Sequence, residues 1–198
     1  MSDRTISVIN EPVLEGVSIR LESLSDKHVS EKYANWLNDK EVCRENSHGG
    51  VVNTVEMTRT YVQSVDKSEN IAAFAIIAKA EEKHIGNISL GNISWKNNSG
   101  EISILIGDKN YWGKGVGLEA YEMIIAYAFG VLGLYRLYSG MTVRNKAMIK
   151  VAEKAGMVYE GISKATLFKN GKYVDIVRYA IVKSNHENEQ KEREDGDE

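Results

Sequence analysis

Three glycines at alternate positions, Gly113, Gly115 and Gly117, enclose Lys114 and Val116, and an apolar run of helical spacing follows at once. Glycines so placed let a backbone come close to a ligand. Free N–H groups at a helix start carry partial positive charge and bind phosphate oxygens. Lys114 adds a full charge at the rim, and the alternative is a glycine-rich turn with no ligand. A P-loop needs four residues between its first glycine and a Gly-Lys pair followed by Ser or Thr. Here five residues separate Gly107 from Gly113, and Gly115 follows Lys114. A dinucleotide fingerprint needs its third glycine where Leu118 stands, in a strand that comes first in the fold rather than late. Both nucleotide signatures fail, and an anion-binding strand–turn–helix remains.

A second candidate is the carboxylate of Glu101, on the strand that leads into this turn. A carboxylate in a narrowing cleft can have its pKa raised and serve as a general base. The alternative is a strand-end glutamate in solvent or an ion pair. Tyr111, Tyr138 and Tyr173 are candidate proton relays, although tyrosines more often pack at a core or rim. Cys43, the single cysteine, lacks a placed histidine. Together with the four scattered histidines it shows no metal-ligand spacing, so no metal is expected.

Composition narrows the partners. The net charge of -3 offers no basic field for nucleic acid, and no apolar run approaches a membrane span. Ser184–Glu198 holds seven acids and two bases, leaving the remainder at +2. That segment, 184–198, reads as an acidic disordered tail, and 1–13 as an N-terminal extension. A single domain over 14–183 lies between them. The lone cysteine and the lack of a signal-peptide pattern imply a cytoplasmic protein.

The elements that must position these residues follow from periodicity. Val17–Ser25 alternates as a half-buried strand does. Asp26 is the expected cap of a helix carrying Tyr33, Trp36 and Leu37. A loop with Gly49 and Gly50 follows, and Thr54 caps a second helix to about Ser64. Ile71–Ala78 is a continuous apolar run, as in a strand covered on both faces. His84–Trp95 is a longer strand bent at its glycines, and Gly100–Ile106 another, with Ile102, Ile104 and Ile106 on one face. A helix after the glycines carries Tyr121, Ile124, Ile125, Ala128 and Phe129. The strand Leu134–Val143 follows it. A helix started by Asn145 bears Met148, Val151, Ala152 and Ala155 as one stripe. The chain closes with a hairpin turning at Asn170-Gly171.

In this context Gly100–Ala120 resembles the acyl-CoA-binding motif of the GNAT N-acetyltransferase superfamily, a strand leading into Arg/Gln-x-x-Gly-x-Gly/Ala. Val143–Ile162 is similar to the family's next helix and strand. "WLNDKEV" and "NGKYVDIVRYAI" resemble the branch of the RimJ/RimL ribosomal-protein acetyltransferases. The resemblance covers about residues 14 to 183. It implies an α/β fold (α+β mixed): a GNAT-like, mostly antiparallel central sheet of about seven strands flanked by about four helices. It implies transfer of acetyl from acetyl-CoA, as co-substrate, by direct attack of an acceptor primary amine. The acceptor is a protein N-terminus or a small amine such as a nucleotide-linked amino sugar. The resemblance assigns the pyrophosphate to Gly113–Gly117, including Lys114 and Val116, with Trp112 in the Arg/Gln position. It assigns the pantetheine to Ile104, Leu105, Ile106 and Asn145. Lys150 and Lys154 are candidate partners of outer phosphates, though exposed helix lysines are usually only solvated. Trp36, Asn38 and His48 fall where the family lines its acceptor site, with Tyr173 and Asp175 on the acceptor side. Pairing into a homodimer through sheet edges is a further implication. The family's usual Ser and Tyr donors to the leaving thiolate are replaced by Met148 and Ala152, which motivates a second reading, a non-catalytic acyl-CoA sensor.

Overall fold

The computed structural model describes residues 13–48, 51–184 and 186. The expected extension and acidic tail lie almost wholly outside the described residues, as do Gly49 and Gly50. Eight strands form one sheet: β1 (Val13–Glu15), β2 (Ile19–Ser23), β3 (Ala72–Ala78), β4 (Lys83–Ser94), β5 (Ser99–Ile106), β6 (Arg136–Thr142), β7 (Val158–Lys169) and β8 (Lys172–Val182). Their order across the sheet is β1-β2-β3-β4-β5-β6-β8-β7. All neighbours run antiparallel except β5 and β6, which are parallel. The eighth strand, β1, is three residues long, too short for periodicity to reveal.

Four helices cover the two faces: α1 (Glu31–Asn38), α2 (Val55–Asp66), α3 (Val116–Gly130) and α4 (Lys146–Lys154). Strand β3 shows why its run is apolar throughout. Phe74 and Ile76 join the core beneath α3, whereas Ala73, Ala75 and Ile77 join the smaller core beneath α1 and α2. On α3, Tyr121, Ile124, Ile125 and Ala128 are all buried against the sheet. Glu119 ties the first turn of α3 to β2, accepting from the N–H groups of Ser18 at 2.8 Å and Ile19 at 3.2 Å.

The helix starts differ in one place from the sequence reading. Thr54 and Asn145 accept from Met57 and Met148 N–H as caps of α2 and α4. Asp26, however, opens a short 3-10 turn with His28, and Ser30 caps α1 by accepting from Tyr33 N–H at 3.1 Å. The extended backbone of Ser30 aims its hydroxyl at that N–H, and such a cap contributes about 1 kcal/mol.

Trp36 is held inside the smaller core, with ring centroids of Tyr33 at 5.8 Å and His84 at 5.0 Å. Gly107 lies directly beneath its indole: a Cβ there would come within 2.0 Å of Trp36 Cδ2. Gly107→Ala is therefore expected to destabilise the fold by about 1–3 kcal/mol through overpacking. Urea unfolding checks this, and an unchanged midpoint would contradict the packing.

Candidate active site

Strands β5 and β6 pair only over Ser99–Glu101 and Arg136–Tyr138, then part. The carbonyls of Ile102 and Ile106 turn toward the β6 side. Ile102 accepts from Ser139 Oγ at 3.0 Å and Ile106 from Trp112 Nε1 at 2.8 Å. Backbone direction alternates along a strand, so the N–H and C=O of Ile104 face the same gap. A cavity of about 550 Å³ passes through this parting. One end is lined by Glu45–His48 and by Met57, Thr58 and Tyr61 of α2; the other reaches Asn145 and Met148 at the start of α4.

Beyond β5 the chain turns into the glycine segment. Asp108 anchors that turn: its Oδ1 accepts from Asn110 N–H at 3.2 Å, and its Oδ2 meets Lys83 Nζ at 2.8 Å and Lys32 Nζ at 3.4 Å. Burial alone would push this carboxyl up, but bonds from Lys83 and Asn110 and the charges of Lys83 and Lys32 hold it down to about 2. Gly113 (φ 72°) and Gly115 (φ 86°) are left-handed, a conformation that glycine adopts without cost. Gly115 is the N-cap of α3 and provides no side-chain cap. The N–H groups of Gly113, Gly115, Val116 and Gly117 have no hydrogen-bond partner among the described residues. They form a set of unpaired donors at a helix N-terminus, next to the ammonium of Lys114, which lies 5.4 Å from the Tyr111 ring.

Glu101 lines the cavity at the point where the strands part. Asn92, left-handed at φ 48° where the β4–β5 register shifts, donates to Glu101 Oε2 at 2.8 Å. Arg178 of β8 brings Nη1 to 3.8 Å from Oε1. Half-buried Tyr138 stands opposite Glu101 in the register, and its phenol is pushed up by burial and then by the Glu101 charge.

The structure separates the acceptor candidates. His48 lines the cavity, its imidazole held below the ordinary value by burial and by Lys169. Trp36, Asn38, Tyr173 and Asp175 do not line it. Trp36 is core, as described. Asn38 clamps the loop before α2, its Nδ2 donating to Asn53 O at 2.8 Å and its Oδ1 accepting from Asn53 N–H at 2.7 Å. Tyr173 is 70% exposed at the hairpin and packs on Phe168. Asp175 holds a bulge of β7, accepting from Lys164 Nζ at 2.8 Å and from the N–H of left-handed Ala165 at 2.9 Å. Tyr111 is engaged at the rim by Glu81, at 2.8 Å. On α4, Asn145 uses Oδ1 as a cap while lining the cavity, and Lys150 and Lys154 are exposed. Met148 faces the cavity, and Ala152 is fully buried in the core.

Several cavity residues escape the sequence reading. Tyr121 OH lies 3.0 Å from Ser139 Oγ, completing a buried chain to Ile102 O. Glu45 accepts from Thr142 Oγ1 at 2.6 Å. Lys169, from the hairpin, donates to the carbonyls of Cys43, Asn46 and His48 at 2.7, 2.5 and 2.6 Å and so pins the loop that follows α1. No group of three metal-ligating side chains occurs among the described residues, and no described helix is long and apolar enough to cross a membrane.

The parted parallel strand pair, the glycine turn and the uncapped helix start are the arrangement that the GNAT resemblance implies. The chain belongs to the GNAT acetyltransferase family: the model of the acetyltransferase (GNAT) domain matches residues 18–158, and the chain is thus an N-acetyltransferase. It is 33% identical over 131 residues to the protein described as "Probable N-acetyltransferase YjcK" of Bacillus subtilis, covering 64% of this chain and 70% of that one. It is 29% identical over 113 residues to the spermidine N(1)-acetyltransferase of Vibrio cholerae, covering 57% of this chain and 65% of that enzyme's length. The solved RimL ribosomal L7/L12 α-N-protein acetyltransferase with coenzyme A has the same fold. Its TM-score is 0.78 at 19% identity, over 86% of this chain and 98% of that one.

The Asp108 anchor gives a pH prediction. Its folded value lies below the ordinary 3.8, so its stabilisation is complete above about pH 4 and is lost as pH falls toward 2. Asp108→Asn is expected to lower the melting temperature at neutral pH and to flatten the wild-type loss between pH 4 and 2. Thermal unfolding across that range checks both, and parallel curves would contradict the anchor.

Proposed function

We propose that the chain moves the acetyl group of acetyl-CoA onto a primary amine that enters from the side of α1 and α2. The observation that carries this reading is the continuity of the cavity with the parting of β5 and β6, beside the unpartnered N–H groups at the start of α3. The free donors of Gly113, Gly115, Val116 and Gly117 suit a pyrophosphate, with Lys114 at its edge. The backbone of Ile104, unpaired toward the gap, suits an amide of the pantetheine arm, as an added strand would. Acetyl-CoA supplies an activated acyl group and a thiol leaving group.

The chain's own work is to desolvate the acceptor and remove a proton from it. An alkylammonium is mostly protonated near neutrality and cannot attack in that form. Glu101, the carboxylate nearest the parting of the strands, accepts that proton directly or through one water. The amine nitrogen then bonds to the acyl carbon and the carbon–sulfur bond breaks. Met148 and Ala152 offer no proton to the departing thiolate. The acceptors named for the relatives divide between spermidine and ribosomal proteins, and either chemistry presents a primary amine. The acetyltransferase relatives give no support to the sensor reading.

Two variants test this. Gly115→Glu puts a side chain and a like charge into the phosphate seat, at a φ where a Cβ costs about 1–2 kcal/mol. It is expected to abolish the melting shift that acetyl-CoA produces, and unchanged affinity would remove the assignment. Glu101→Gln is expected to lower kcat by about 10²- to 10⁴-fold, as loss of a general base does. Its KM for acetyl-CoA should hold steady. A wild-type kcat at every pH would exclude Glu101 as the base.

A further inference from the structure

Arg178 is seated at the cavity wall over one glycine. It stands in register between Gly140 of β6 and Gly161 of β7. Its side chain lies over Gly140, where a Cβ would come within 2.7 Å of Nη1 and 3.4 Å of Cζ. A glycine inside a strand marks a close approach of this kind. The guanidinium thereby reaches across β6 toward Glu101 of β5, yet among the described residues it makes one hydrogen bond, from Nε to Ser163 Oγ at 3.3 Å, and the 3.8 Å ion pair. A guanidinium has five N–H donors in a fork that matches carboxylate and phosphate oxygens. Its side chain is 36% exposed, so the remaining donors are open to a ligand.

The two carboxylates of the cavity are both engaged. Glu45 accepts from Thr142 and lies 3.6 Å from Arg44 Nε, while Glu101 holds Asn92 and Arg178. Arg178 is the single Lys or Arg among the described residues that line the cavity, and it faces Glu101. A polyamine entering here would have to bring an ammonium against Arg178. An acceptor with an anion a few bonds from its amine satisfies both charges, because the ammonium meets Glu101 while the anion meets Arg178.

We propose that Arg178 is a specificity-determining residue that selects a zwitterionic acceptor, a primary amine with a carboxylate or phosphate a few bonds away. This rests on the acetyl-transfer reading above. The test measures thiol release from acetyl-CoA with matched acceptors: β-alanine against β-alaninamide, glucosamine 6-phosphate against glucosamine, and spermidine as the polycation. The wild type is expected to favour the anionic member of one pair by about tenfold in kcat/KM, chiefly through KM. The pair that responds identifies the anion. Arg178→Gln should erase that preference while keeping the melting shift with acetyl-CoA, and Arg178→Lys should restore part of it. A residue that merely supports Glu101 would lower both members of a pair equally and leave their ratio intact, which overturns the proposal. Spermidine as the best wild-type acceptor overturns it too. Thiol release with none of the five acceptors, despite a melting shift with acetyl-CoA, overturns the acceptor class. Absence of the shift overturns the acetyl-transfer reading itself.

Discussion

The parting of two parallel strands is the constraint on which the rest of this molecule depends. Backbone groups released from a sheet must find partners or meet water or a ligand, because burying them unpaired costs free energy comparable to a lost hydrogen bond. Past Glu101 and Tyr138 the ladder stops. Ser139 takes the carbonyl of Ile102 and the indole of Trp112 takes that of Ile106. What is left, the peptide groups of Ile104, marks the passage between the two faces of the sheet. Tyr121 supports Ser139 from α3, so the helix that follows the glycine turn also wedges the strands that precede it. Trp112 likewise belongs to both, closing the end of β5 while leading the chain into Gly113.

The two faces then divide the labour by side-chain parity. Along β5, Ile102, Ile104 and Ile106 face the core of α3, whereas Leu105 packs on the side of α1 and α2, the face that Glu101 shares. Along β6, Ser139 contacts α3 and Thr142 contacts Glu45 on the opposite side. The helix with free N–H donors and the wall of carboxylates and Arg178 thus address one opening from opposite directions. Ion pairs keep the approach rigid: Asp108, Lys83 and Lys32 lock the turn between β5 and the glycines.

Much of this was legible in the residues. The alternate glycines, the isoleucine face of β5, the doubly covered run of β3 and the Asn170-Gly171 hairpin each carry a local signal that tertiary structure did not override. The cavity lining on the α1 and α2 side was less legible, since its residues converge from loops and strands far apart in sequence. Trp36 sits on an apolar helix stripe and packs as such a stripe does. Asp175 follows a turn, but which groups it meets depends on the bulge at Ala165, which no periodicity shows. Arg178 had one readable trace, Gly140 in the middle of a strand. Its partner could be found only once the register of β6 and β8 was known.

The clamp of Lys169 carries a consequence for how the molecule is assembled. It joins a β-hairpin near the end of the described chain to carbonyls 126, 123 and 121 residues earlier. Contacts that distant form only after the entropy of closing so long a loop has been met. The segment from β5 through α3 is contiguous, and its own long closure, from Glu119 to Ser18 and Ile19, spans 101 and 100 residues and is available as soon as α3 exists. A chain made from its N-terminus outward therefore packs α3 on the sheet before Lys169 reaches the loop that follows α1. The stretch of cavity wall at residues 45–48 is pinned only when the final hairpin docks, so one end of the opening is fixed later than the other.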